Sequence, residues 1–147
     1  MKEYIVKVYE DRTEWHLNDK LHRENGPAVE WADGDKSWYL NGERHREDGP
    51  AVEWTDGYKE WYLNGKLHCE NGPAIGCTDG TKEWWLNGKR HREDGPAVEY
   101  ADGTKEWWLN GEKLTEAEFN SRMNPLVEMT VEEICNALGK NVKIVKG

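Results

Sequence analysis

Aliphatic residues are scarce in this 147-residue chain: Leu, Ile, Val and Phe number 24 together, about 16% of the sequence, and only one is Phe. That lies under the roughly 20% below which high net charge signals disorder, and the formal charge is -9. Long apolar runs are lacking too. No stretch approaches the roughly 18 apolar residues of a membrane span, and Met1-Lys2-Glu3-Tyr4 offers no signal-peptide core, so a soluble cytoplasmic protein is expected. Cys69, Cys77 and Cys135 are an odd number without metal-ligand spacing, so neither a disulfide framework nor a zinc site is indicated. The only serines, Ser37 and Ser121, lie in no nucleophile motif, and no Gly-rich phosphate loop occurs. Neither an enzyme nor a cofactor is expected. Lys and Arg are outnumbered 20 to 29 by Asp and Glu, which disfavours direct nucleic-acid binding. A protein partner with a basic surface fits better.

What the chain does hold is nine Trp and six Tyr. Each can bury roughly 150 to 250 Å², enough to predict one folded domain with an aromatic core. The rings follow an internal period. Gly-Pro-Ala recurs at Gly26, Gly49, Gly72 and Gly95, and Trp-x-Leu-Asn begins at Trp15, Trp38, Trp61, Trp84 and Trp107, each series spaced by 23 residues. Four full units fill residues 15 to 106, and a fifth begins at Trp107.

Each unit carries Asp-Gly and Asn-Gly pairs between short β-prone runs, the strongest short-range signal for hairpins with type I′ turns. Pro at the start of each Pro-Ala-Val-Glu run suits a first strand position, so strands are predicted from Pro27, Pro50, Pro73 and Pro96. Two registers compete at the Asp-Gly turns. A two-residue loop at Asp33-Gly34 places Val29, Trp31, Trp38 and Leu40 on one face, whereas a three-residue loop pairs Glu30 with Lys36. Burying large apolar side chains is worth roughly 1.5 to 3 kcal/mol each, against about 0.2 to 1 kcal/mol for a cross-strand ion pair. The two-residue register is therefore predicted, although it sets Glu53 against Glu60. Its second face carries His16, Tyr39, Tyr62, Trp85 and Trp108, with Glu30, Glu53 and Glu99 beside them.

The flanks read as caps. Residues 1 to 14 contain a β-prone run, Tyr4 to Tyr9, predicted as an N-terminal capping strand. Residues 15 to 111 form the repeat array, and residues 112 to 147 a helical cap. Thr115-Glu116-Ala117-Glu118 and Thr130-Val131-Glu132-Glu133 are capping boxes, opening helices to about Met123 and to Leu138, with Gly139 as the second C-cap. Phe119, Met123, Ile134 and Leu138 supply the apolar side. Asn141 to Lys146 are predicted as a last short strand. The expected fold is mainly β, an elongated antiparallel sheet of tandem hairpins with a small helical C-terminal cap. A sheet edge left open would allow a homodimer.

The pattern Asp-Gly-x-Lys-Glu-Trp-Trp-Leu-Asn-Gly-Lys, seen from Asp79 to Lys89, resembles the MORN repeat variant family over about residues 15 to 111. The His-Arg-Glu-Asp-Gly-Pro-Ala segment departs from that family's usual pattern. The resemblance implies a twisted sheet of hairpins and a non-catalytic role in binding other proteins. Some relatives act as bacterial antitoxin or immunity partners, and similar Trp-rich arrays look like small phage or prophage proteins. A weaker similarity is to choline-binding and cell-wall-binding repeats, which implies a glycan-binding alternative. An acidic nucleic-acid mimic is a third reading.

Three sets of residues are candidates for function. His22, His45, His68 and His91 recur in every full copy, which favours packing and hydrogen bonding over a metal row, since chemistry needs a residue once. The tryptophans at 15, 38, 61, 84 and 107 are structural on the same grounds. Arg23, Arg46 and Arg92 read as surface pairs with Glu24, Glu47 and Glu93, while the third copy has Cys69. The stripe Tyr39, Tyr62, Trp85 and Trp108, with Glu30, Glu53 and Glu99, is the expected partner-binding face, because rows of rings mark binding sites. Its competing role is to be covered by the C-terminal helices. The third unit also replaces Val-Glu-aromatic by Ile75-Gly76-Cys77.

Overall fold

The structure, a computed structural model, describes residues 3 to 125 and 130 to 139, Leu138 by its backbone alone. Among the described residues it is mainly β, with strands in antiparallel pairs and two short helices. Strand β1 (Ile5–Val8) pairs with β2 (Arg12–Leu17), which continues through Trp15 into the first repeat. From there a meander adds two short strands per unit, giving a 12-stranded sheet with β1 at one edge and Glu112–Leu114 at the other. The strand predicted over Asn141 to Lys146 lies outside the described residues.

Both turn types are set by backbone chemistry. The Asn-Gly turns are type I′ hairpins, as expected: Asn41 and Gly42 have φ of 53° and 87°, and Tyr39 pairs with Arg44. The Asp-Gly turns are not. Only the glycine is left-handed, with Gly34 at φ 100°; Gly34 N–H donates to Trp31 O and Trp31 N–H to Asp35 O. This is a three-residue loop with a glycine bulge, and Asp33 caps it by accepting the Asp35 N–H at 3.1 Å.

The predicted two-residue register is therefore wrong. Glu30 pairs with Lys36, and Val29 with Ser37. The strands begin at Val29, Val52, Ile75 and Val98 rather than at the prolines. One row across the sheet reads Glu30, Lys36, Glu53, Lys59, Gly76, Lys82, Glu99, Lys105, alternating in charge except at Gly76. The adjacent row reads Glu14, Val29, Ser37, Val52, Glu60, Ile75, Glu83, Val98, Glu106. This register separates Glu53 from Glu60 and sets each acid of the first row against a lysine.

The burial argument failed because its premise did. The buried apolar residues are small, with Ala28, Ala51, Ala74 and Ala97 fully enclosed beside Val29, Val52 and Val98, joined at the C-terminal end by Leu114 and Phe119. The five repeat tryptophans are half-buried, so the expected aromatic core is absent. Ring burial did not decide the register, since the one adopted leaves the rings half-buried. Three of the five are faced by cations: the guanidiniums of Arg23, Arg46 and Arg92 lie 3.9, 4.1 and 3.9 Å from the ring centres of Trp15, Trp38 and Trp84.

Both capping boxes form as predicted. Helix α1 (Glu116–Met123) is capped by Thr115 and α2 (Val131–Leu138) by Thr130, with Gly139 left-handed at the end of α2. Phe119 of α1 is buried, and Arg122 grips Glu112 through two bonds of 2.8 and 2.9 Å, tying α1 to the last strand.

Candidate binding surface

Each unit joins the next through its histidine. The backbone N–H of Asn41 donates to Nδ1 of His22 at 3.0 Å, and Asn64, Asn87 and Asn110 repeat the bond to His45, His68 and His91 at 3.2, 3.2 and 3.0 Å. Nδ1 of His22, His45 and His68 also lies 3.0 to 3.1 Å from Oδ1 of the same asparagine, and Nε2 of each ring is 3.5 to 3.8 Å from the carboxylate two residues on, at Glu24, Glu47, Glu70 and Glu93. Among the described residues no group of three or more His, Cys, Asp or Glu side chains is placed to hold a metal ion.

The arginines that follow His22, His45 and His91 have partners other than the neighbouring glutamate expected from the sequence. Arg46 donates to the Pro50 carbonyl at 3.1 Å, to Glu53 at 2.8 Å and to Asp48 at 2.8 Å while stacked on Trp38. Arg92 repeats this with Pro96, Glu99 and Asp94, and Arg23 with Pro27 and Glu30. Arg46 and Arg92 hold the carboxyls of Asp48 and Asp94 below the usual carboxylate range. Glu30, Glu53 and Glu99 therefore share a face with the repeat tryptophans, not with the stripe, because the bulged loop shifts them by one residue.

The stripe itself is half-buried and braced from within. Trp85 and Trp108 donate their indole N–H to Glu83 and Glu106 at 3.0 and 2.9 Å. Arg44 reaches the hydroxyls of Tyr39 and Tyr62 at 3.3 and 3.4 Å and Glu60 at 3.2 Å, and Arg90 lies over both Trp85 and Trp108. Glu14, Glu60, Glu83 and Glu106 form a row of side chains only 15 to 17% exposed. Arg12 holds the Glu14 carboxyl, and Lys113 the Glu106 carboxyl, below the ordinary carboxylate range despite that burial. Burial beside Glu60 pushes the Tyr58 hydroxyl up. Helix α1 packs on Lys105–Leu109 and Glu112–Leu114, so its cover is confined to the last unit.

The row of loops between the tryptophan strands is open to solvent. Two equivalent grooves lie there, of about 720 and 690 Å³. The first has Trp38 and Leu40 in its lining with Glu24, Glu47 and Asp48; the second, two units on, has Trp84 and Leu86 with Glu70, Glu93 and Asp94. Carboxylates outnumber arginines in both. Glu47, Glu70 and Glu93 have side chains 84, 77 and 70% exposed. Sequence reasoning read Glu47 and Glu93 as partners of the adjacent arginines and did not single out Glu70, although a glutamate recurs at this place in all four full units. Within the repeats the exposed rings are Trp54 and Tyr100, at the tips of the bulged hairpins.

The third unit loses both ends of one contact. Cys69 replaces the arginine and Gly76 the glutamate it would bind. At Gly26, Gly49 and Gly95 an added Cβ would meet the arginine Cζ at 3.1, 2.8 and 3.2 Å, whereas at Gly72 nothing lies within 4 Å. The space the guanidinium would fill is open. Cys69, Cys77 and Cys135 form no disulfide among the described residues, and burial pushes the Cys77 thiol up. No helix among the described residues is long and apolar enough to cross a membrane. No protein-family model, no curated protein and no solved structure matches the chain.

Proposed function

We propose that this chain is a non-catalytic binding module that inhibits another protein by occupying its basic surface, as an antitoxin, immunity or anti-defence protein does. The observation that carries the reading is the periodic placement of exposed carboxylates, Glu47, Glu70 and Glu93, around grooves lined by Trp and Leu. Such a groove takes the aliphatic stem of a Lys or Arg on its apolar lining and the charged head at its wall. Charge complementarity of this kind sets specificity and association rate. A rigid repeat blocks a partner without any chemistry, and here each unit is fixed to the next by its histidine bond.

The test is affinity capture from bacterial lysate with the wild-type chain and the Glu47→Gln/Glu70→Gln/Glu93→Gln variant, at low and high salt. The proposal expects one stoichiometric basic protein, held at least tenfold less tightly by the variant and lost at high salt, with the melting temperature unchanged. Equal capture by both chains, or retention of polysaccharide in place of a protein, overturns it.

A further inference from the structure

The two edges of the sheet are finished differently. The last strand carries α1, fastened by Phe119 and by the Glu112–Arg122 pair. Strand β1, at the opposite edge, pairs only with β2 among the described residues. Ile5, Val6 and Val8 are 49, 49 and 77% exposed, and the flanking Tyr4 and Tyr9 are 36 and 43% exposed. A bare apolar edge strand is a template for pairing with another strand.

The backbone shows which groups that edge offers. Tyr9 N–H donates to Arg12 O across the two-residue turn, so Tyr9, Lys7 and Ile5 direct their N–H and C=O groups toward β2 in the register Lys7 to Glu14 and Ile5 to His16. Trp15, opposite Val6, donates its N–H away from β1, to Ala28 O. Alternation then leaves the N–H and C=O groups of Tyr4, Val6 and Val8 directed outward.

We propose that β1 pairs antiparallel with β1 of a second copy of this chain, in the register that sets Tyr4 against Val6 of the other copy. Three registers near the strand's centre use the outward groups, and side-chain charge separates them. Setting Val6 against Val6 puts each Ile5 opposite a Lys7. Setting Val6 against Val8 puts Lys7 opposite Lys7, a destabilising pair. Setting Tyr4 against Val6 puts Ile5 opposite Ile5, flanked on each side by Glu3 opposite Lys7, so that like meets like in polarity and opposite in charge. The contact is isologous and closes on itself as a twofold dimer. An isologous β1–β1 contact uses this edge in both copies, so pairing through it stops at two.

The experiment is sedimentation equilibrium of the full chain over a concentration series reaching about 100 μM, with circular dichroism to confirm each variant's fold. The wild-type mass should rise with concentration from 17.1 kDa to twice that and no further. Val6→Pro, which removes an outward donor and none of those facing β2, should hold it at the monomer mass. Glu3→Lys and Lys7→Glu should each do the same alone, and an equimolar mixture of these two variants should restore the doubled mass, since each chain then meets its opposite charge. That mixture keeps the test decisive if Val6→Pro disturbs the fold. A wild-type monomer throughout, a Val6→Pro variant that is folded and still dimeric, or two charge variants that fail to associate when mixed would each overturn the proposal. The loop carboxylates are untouched in every variant, so partner capture is read independently.

Discussion

Restoring the missing contact of the third unit should stabilise the array. Gly76 interrupts the charge-alternating row between Lys59 and Lys82, an added Cβ there meets nothing within 4 Å, and its φ is not in the left-handed range. Cys69→Arg would lay a guanidinium on Trp61 over Gly72, as Arg46 does on Trp38 over Gly49. Gly76→Glu would supply its carboxylate and complete the row. The cation on the ring is worth about 1 kcal/mol, the ion pair about 0.5 to 1 kcal/mol at this exposure, the cross-strand lysines about 0.5 kcal/mol, and removing glycine from a strand about 0.5 kcal/mol. Together that is about 2.5 kcal/mol, or roughly 5 to 10 °C in melting temperature for a chain of this size. Thermal unfolding of wild type, both single variants and the double variant forms a complete cycle. The double variant should exceed the sum of the singles by about 0.5 to 1 kcal/mol. A double variant no more stable than that sum would refute the claim that Arg and Glu act as a pair, and one less stable than wild type would refute the assigned geometry.

Two further outcomes follow from the same contacts. Gly49→Ala should push Arg46 off Trp38, since its Cβ would lie 2.8 Å from the guanidinium carbon, and cost about 1 to 2 kcal/mol; Gly72→Ala should escape that cost because its surroundings are open, and equal losses at the two sites would contradict the stacking. Glu14 and Glu106 titrate below their unfolded value of about 4.3. The stability they contribute is therefore full above that pH and is lost as pH falls through their depressed values. Melting temperature should decline below about pH 4.3, less steeply in Glu106→Gln, and a variant that tracks wild type in acid would exclude Glu106 as a contributor.

The elements governed by local chemistry were legible in the sequence. The 23-residue period, the Asn-Gly type I′ turns and both threonine capping boxes follow from a few adjacent residues, and each stands where it was read. The Asp-Gly register was not legible by the argument used, because that argument weighed ring burial that the adopted register does not deliver. The decisive facts were that Asp33 stays right-handed while only Gly34 turns left, and that Glu30 gains Lys36. Face assignments fell with the register. Glu30, Glu53 and Glu99 moved to the tryptophan side, and the stripe from Tyr39 to Trp108 became a set of rings braced by Arg44, Arg90, Glu83 and Glu106. The pairing of Arg46 with Glu53, seven residues apart, needed the fold, although the joint change at Cys69 and Gly76 held its trace.

The most direct measurement for the binding role is carbodiimide labelling of carboxylates in the chain alone and in complex with the protein it captures, read by mass spectrometry. The account predicts protection of Glu47, Glu70 and Glu93 in the complex, with Glu60 and Glu83, already enclosed by Arg44 and Arg90, unchanged. Undiminished labelling of those three loop glutamates in the complex would contradict it.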